Sequence, residues 1–116
     1  MTTIDRDRPI VTLINVFSTQ PADQQKVVDL LREMNETIYR AQPGYLTTNL
    51  HKSLDGVKVV NYSQWRTRAD FDTLTPQQLP ALVPYFQSLS TLCSAVEPHL
   101  YEVVLVDEAA EADRAR

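Results

Sequence analysis

A chain of 116 residues with a net charge of -4, a pI near 5.0 and no basic cluster is a single acidic domain, unsuited to a nucleic-acid backbone. Hydrophobic residues make up 43% and charged residues 22%, the balance of a soluble globular protein, and no apolar run approaches the ~20 residues that a membrane span needs. Cys93 is the one cysteine, which excludes an internal disulfide, and the charged start MTTIDRDRP lacks the apolar core of a signal peptide, so a cytoplasmic protein is expected.

Residues 9–19, PIVTLINVFST, alternate as a strand: Val11, Leu13, Asn15 and Phe17 share one face, and Ile10, Thr12, Ile14 and Val16 the other. Both faces are largely apolar, so both need covering. Pro21 fits the first turn of a following helix, where its missing N–H has no partner to lose, and Ser18 or Thr19 is available as a cap. Val27, Leu30, Leu31, Met34 and Ile38 then recur at spacings of three and four, the stripe of an amphipathic helix. It ends before QPGY, where Pro43 disfavours a helical Gln42 and Gly44 permits a tight turn.

A second strand is expected from Tyr45 to Ser53, a hairpin turn at LDG with Asp55-Gly56 suited to positive φ, and a third strand from Val57 to Trp65. TRADFDTL predicts a short helix capped by Thr67, and residues 75–96 a second helical region interrupted by Pro76, Pro80 and Pro84. Cys93 lies there in an apolar stretch, as a buried structural thiol. The last strand is expected over residues 98–107, PHLYEVVLVD. Residues 1–8 are expected to be flexible and 108–116 disordered, which leaves one domain over 9–107.

The order β-α-β-β-α-β is the ferredoxin-like pattern of the α+β class: an antiparallel sheet with helices on one face. The other face still carries apolar residues. Sheet-to-sheet pairing with a second copy would bury them and close two sheets into a barrel, a homodimer; a monomer would leave them partly exposed.

Strand parity also gathers polar residues. Asn61 and Trp65 share a face with Val59 and Ser63, and Asn15 stands between Leu13 and Phe17 on its own face. His51 shares a face with Asn49 and Thr47, and the hairpin sets it across from Val59 or Asn61, with the register open by one residue. Asn15, Asn61, Trp65 and His51 can thus line one cavity between sheet and helices, walled by Leu13, Phe17, Val59 and Ser63.

A buried amide without partners costs about 1–3 kcal/mol, so two amides among valines and leucines imply partners. Two arrangements fit. In the plainer, the amides are satisfied by backbone or by each other and Trp65 is ordinary core. In the other, they are the polar handles of an apolar pocket for a flat aromatic molecule, with imidazole for proton transfer near neutral pH. With two histidines, His51 and His99, and no acidic cluster, no metal site is expected; with two glycines, Gly44 and Gly56, there is no phosphate-cradling loop. No G-x-S-x-G elbow occurs. His99 is expected at the surface or a dimer contact.

Three stretches carry a resemblance: TLINVF in the first strand, QPGYLTTNLHKSLDG in the hairpin and VVNYSQWRT in the third strand. Through them the chain resembles, over about residues 10 to 106, the antibiotic biosynthesis monooxygenase family, and within it the small quinone-forming oxygenases of aromatic polyketide pathways. The resemblance implies a dimeric α+β barrel and a reaction with O2 as co-substrate that uses no flavin, haem or metal, so no cofactor is expected. In one variant of that site an Asn on the first strand and a Trp on the third are the functional pair, matched by Asn15 and Trp65. In the other a His on the second strand works with Asn and Trp on the third, matched by His51, Asn61 and Trp65.

The second variant also has a Tyr soon after the Trp, where this chain has Phe71, and an Arg in the following helical region, where it has Tyr85. Both positions are expected to contact substrate, and Tyr85 or Tyr39 is left to stand in for the proton relay. Haem-degrading relatives bind iron through a histidine after the Trp; this chain has none between His51 and His99. The implied function is oxidation of a phenolic or anthrone-type aromatic polyketide to a quinone. His51 would be the base, Asn15 and Asn61 would donate hydrogen bonds to the anion, and Trp65 would pack on the ring. The alternatives on the same fold are a polyketide cyclase, a quinol oxidase, or a non-catalytic protein that binds an aromatic ligand.

Overall fold

The alternating strands assemble into a four-stranded antiparallel sheet in the computed structural model, which describes residues 1–110. Residues 111–116, part of the tail expected to be disordered, lie outside the described residues. The elements are β1 (Val11–Ser18), α1 (Gln24–Thr37), a 3-10 turn (Tyr39–Ala41), β2 (Tyr45–Lys52), β3 (Lys58–Trp65), α2 (Arg68–Asp72), a second 3-10 turn (Pro80–Leu82), α3 (Val83–Leu92) and β4 (Ala95–Tyr101). The strand order is β2-β3-β1-β4, so β1, apolar on both faces, sits inside the sheet. This is the ferredoxin-like α+β fold.

The α1 stripe packs as its spacing requires. Val27, Val28, Leu31 and Met34 are buried, and Ile38 joins them just past the helix end. They meet Phe17 and Val59 from the sheet and Leu82 and Leu89 from the second helical region. Val27, Val59 and Leu82 are fully buried, each worth ~1.5–3 kcal/mol relative to exposure, and this layer holds the helices on one face of the sheet. Buried Gln24 ties the start of α1 to the hairpin, its Nε2 donating to the carbonyls of Ser53 and Lys58, both at 3.0 Å.

Four local expectations change. Pro21 stands in the turn before α1, whose N-cap is Asp23, and neither Ser18 nor Thr19 caps it. Ser18 still pairs with Lys58 and the Thr19 N–H with the Val57 carbonyl, so the chain must clear the sheet before it can coil. Thr19 Oγ1 instead donates to the Leu92 carbonyl at 2.7 Å. In the hairpin only Gly56 has positive φ, at 87°; Asp55 keeps ordinary backbone angles while its carboxylate accepts from Ser53 Oγ and the Val57 N–H.

The last strand forms over Ala95–Tyr101 rather than 98–107. Tyr101 pairs with Thr12, and β1 begins one residue earlier, so Glu102 and the described residues that follow it have no neighbouring strand to pair with. Val104 and Leu105 are left 70% and 75% exposed. Pro98 is tolerated because β4 is an edge strand. Two residues of the segment before β1 touch the helix-free face: Asn49 Nδ2 donates to Thr2 Oγ1 at 2.6 Å and Gln64 Nε2 to the Thr3 carbonyl at 2.7 Å.

Candidate active site

Register decides which polar side chains meet. Across β1 and β3, Asn15 pairs with Asn61, Leu13 with Ser63 and Val11 with Trp65, on the face that carries Phe17 and Val59 into the core. Across β2 and β3, Leu50 pairs with Asn61 and His51 with Val60. His51 therefore stands exposed on the helix-free face, away from the amides and the indole. The hairpin register is the cause: Lys52 pairs with Val59, so His51 falls opposite Val60 rather than Val59 or Asn61. At the far end of β2 a bulge between Tyr45 and Thr47 lets Tyr45 and Thr48 face the helices together.

Between the sheet and the helices lies a cavity of ≈ 400 Å³, a size that suits a small aromatic molecule. The structure brings Asn15, Asn61, Ser63, Trp65, Leu13, Phe17 and Phe71 together on its wall. Val59 is not on the wall: it is fully buried in the core. Nor is Tyr85, which packs against the core cluster, while its neighbour Phe86 reaches the cavity. One residue along a helix turns the side chain by about 100°, enough to separate these two fates. Leu31, Met34, Tyr39, Thr48, Leu89, Ser90, Val96 and Pro98 complete much of the lining. Leu31 and Met34 belong to the α1 stripe, so the roof of the pocket was readable from helix period; Tyr39, in a 3-10 turn, had no periodic signal.

Trp65 is 2% exposed and its Nε1 donates to Ser63 Oγ at 3.3 Å. Three aromatic rings meet it edge-on: Tyr45 at 5.5 Å, Tyr39 at 6.4 Å and Phe71 at 6.5 Å between centroids. Tyr45 is braced from α1, its hydroxyl accepting from Asn35 Nδ2 at 3.4 Å, and Asn35 Oδ1 accepts from Thr48 Oγ1 at 2.8 Å.

Phe71 is delivered by α2. Thr67 Oγ1 caps that helix, accepting from the Asp70 N–H at 3.1 Å. Arg66 grips the Asp70 carboxylate twice, at 2.9 and 3.0 Å, and this bonding, helped by Thr67, holds the carboxyl below the usual range. Gly44, at φ 83°, lets the Asp70 carboxylate approach; a side chain there would collide with it. The Gly44 carbonyl also accepts from the Arg66 N–H at 2.7 Å, which fixes the turn after Trp65.

The amides are the anomaly. Asn15 Oδ1 and Asn61 Oδ1 are buried and accept no hydrogen bond, and neither side chain bonds to another described residue. Each orphaned acceptor costs about 1–3 kcal/mol, a cost a ligand or water in the cavity would offset. Tyr39 is the one titratable side chain among the described lining residues. Burial pushes its phenol up to about 12, so it is protonated at neutral pH. Among the described residues no cluster of three or more His, Cys, Asp or Glu side chains could hold a metal, and no helix is long and apolar enough to cross a membrane.

The sequence pattern of the family described as antibiotic biosynthesis monooxygenase matches residues 10–75, from the start of β1 through α2. The chain belongs to this family. A curated relative, tetracenomycin-F1 monooxygenase of Streptomyces glaucescens, is 40% identical over 86 residues, 74% of this chain and 75% of the relative. Among solved structures, the monooxygenase ActVA-Orf6 of Streptomyces coelicolor, in complex with nanaomycin D, superposes with a TM-score of 0.71 at 24% identity, covering 91% of this chain and 96% of that one. SnoaB, a cofactor-independent oxygenase from Streptomyces nogalater, superposes with a TM-score of 0.63 at 22% identity, covering 84% and 96%.

Those two structures share the fold. Family and curated relative together make this chain an enzyme of the monooxygenase class, and the matched segment holds Asn15, Asn61, Trp65 and Phe71.

Proposed function

We propose that this antibiotic biosynthesis monooxygenase oxidises a phenolic or anthrone-type aromatic polyketide to a quinone with O2 and without a cofactor. One observation carries it: two register-paired amides, both with an orphaned buried oxygen, on the wall of an apolar cavity that also holds the only tryptophan. An asparagine amide offers both a donor and an acceptor. The pair therefore complements a ring hydroxyl beside a ring carbonyl, the arrangement that a hydroxyanthrone presents along one edge. The relative named for tetracenomycin F1 and the neighbour described as cofactor-independent support the same chemistry.

The steps follow from the wall residues. Amide N–H groups hydrogen-bonded to the carbonyl oxygen stabilise the enolate that forms there, and one such preorganised donor is worth ~3 kcal/mol in a dry site. His51, on the opposite face, is not available as the base, and the described wall carries no histidine, carboxylate, lysine or arginine. The substrate's own acidity, raised by the amides, supplies the anion, and the proton passes to water. The electron-rich anion gives one electron to O2, and the radical pair joins as a peroxide. Loss of water leaves the new carbonyl: CH2 + O2 gives C=O + H2O, with the substrate as reductant. Trp65 packs on the rings and excludes water.

Metal-free protein with dithranol, followed by O2 uptake and quinone absorbance, tests this. A rate above buffer is expected, and Trp65→Phe should lower it. No rate with a range of such phenols would reject the oxygenase, and a stoichiometric flavin or haem in active protein would reject cofactor independence. The protein is also proposed to act as a homodimer in the cytoplasm. Half-buried Ile14, Val16 and Val60 on the helix-free face support the dimer; a solution mass of one 13.2 kDa chain would count against it.

A further inference from the structure

Exposure along the cavity wall is concentrated on one side. Of the described lining residues, four stand exposed: Phe86 and Ser90 on α3, and Val96 and Pro98 on β4. The others are buried or half-buried. Phe86 is 39% and Val96 44% exposed, so both apolar side chains face solvent and the cavity together. β4 is an edge strand, and no further strand flanks the cavity there. These four residues form a rim that carries no charge.

Strand register measures how far inside this rim the amides lie. Pro98 pairs with Asn15, Asn15 with Asn61, and Asn61 with Leu50, one row across all four strands. At ~4.8 Å per strand, Asn15 stands about 5 Å and Asn61 about 10 Å in from Pro98. The row ends on Leu50, which packs against the core cluster and is not on the wall. It is therefore open at the Pro98 end and shut at the other. A fused-ring molecule whose hydroxyl–carbonyl edge lies on both amides has its long axis along this row, because that edge runs parallel to the line of rings. Any further ring extends towards the rim.

Resting on the pocket and substrate class proposed above, we infer that the substrate enters between α3 and β4 and that Phe86 selects for three or more linearly fused rings by packing on the ring left at the rim. A two-ring molecule ends over the amides and does not reach Phe86. The uncharged rim also favours an apolar trailing ring, since a carboxylate there would lose water and gain no cation. Trp65 and the amides lie further in, so Phe86 acts on binding and leaves the chemistry to them.

Emission from Trp65, the only tryptophan, reads binding without turnover. Two redox-inert ligands share the hydroxyl–carbonyl edge: 5-hydroxychromone with two rings and 1-hydroxyxanthone with three. Phe86→Ala should weaken the xanthone at least tenfold and the chromone less than twofold, and should raise KM for dithranol with kcat kept. Equal losses for the two ligands, or no loss for the xanthone, would overturn the selection by Phe86. Ser90→Phe and Val96→Phe fill the rim from its two sides, and each should slow association of the xanthone at least tenfold in stopped flow. Gln87→Phe, exposed on α3 but off the wall, should associate as wild type does. Wild-type association in either folded rim variant would overturn the entry route and leave the oxygenase standing. Wild type that binds the xanthone but takes up no O2 with dithranol would reject the oxygenase and leave the rim standing. Wild type that binds neither ligand would overturn both.

Discussion

The two faces of the sheet treat buried amides in opposite ways. On the helix-free face Gln64 is fully buried, donates to the Thr3 carbonyl at 2.7 Å and accepts from Thr47 Oγ1 at 3.3 Å. On the helix face, three residues back along β3, Asn61 and its register partner Asn15 have buried oxygens that accept nothing. The polar group is the same, but Gln64 lies between Thr12 and Thr47 whereas the asparagines line the apolar cavity. Gln64 spends its bonds holding the first residues of the chain to the sheet, so it belongs to the scaffold. The asparagines keep theirs for whatever enters the cavity, and the fold tolerates the cost.

That contrast breaks down if activity and stability do not separate. The largest effect expected is for Asn15→Ala: kcat/KM for anthrone oxidation should fall about 100-fold, the ~3 kcal/mol of a donor in a dry site, with the denaturation midpoint hardly lowered because no protein hydrogen bond is lost. A matching loss of stability would show the amide to be structural. Next comes alkaline pH. The Tyr39 phenol has an ordinary value of 10.0 and is raised to about 12 in the fold. Between these values the folded state keeps a proton that the unfolded chain has lost. Stability should therefore be undiminished below pH 10 and fall by roughly 2–3 kcal/mol as the pH climbs to 12. Urea midpoints across that window would check it, and Tyr39→Phe should flatten this component of the curve.

Gln64→Ala should give the mirror image of Asn15→Ala. It leaves the Thr3 carbonyl unpaired, and about 2 kcal/mol of stability should go, read by chemical denaturation, with kcat kept. Unchanged stability would mean that the tie from Gln64 to Thr3 contributes little. The smallest effect expected is for His51→Ala, within about twofold of wild-type activity, because the imidazole lies on the other face. A large loss there would return a base to the mechanism and place the reaction outside the cavity described.

Much of the site was legible because strand parity is local. Asn15 must share a face with Leu13 and Phe17, and Asn61 with Ser63 and Trp65, wherever the strands go; register then set Asn15 beside Asn61. The helix stripe named Leu31 and Met34 for the same reason. His51 shares its face with Asn49 and Thr47 as parity requires, but it was misplaced because that face depends on the hairpin register, which a slip of one residue inverts. That register, with Lys52 opposite Val59, is a property of how the turn brings β2 and β3 together, and the Asp55-Gly56 signal locates the turn without fixing it.

The end of β4 shows the same limit. YEVVLV has the β-branched composition of a strand, yet β1 begins at Val11 and offers nothing beyond Tyr101 to bond with. By itself, the sequence determined the element order, the ferredoxin-like class and the company that Asn15, Asn61 and Trp65 keep, since all three depend on periodicity between near neighbours. Which of those groups was left without a partner, that Tyr39 would join the wall, and that His51 would not, only the tertiary structure decided. Hydrogen-bond satisfaction and strand register are set by residues far apart in the chain.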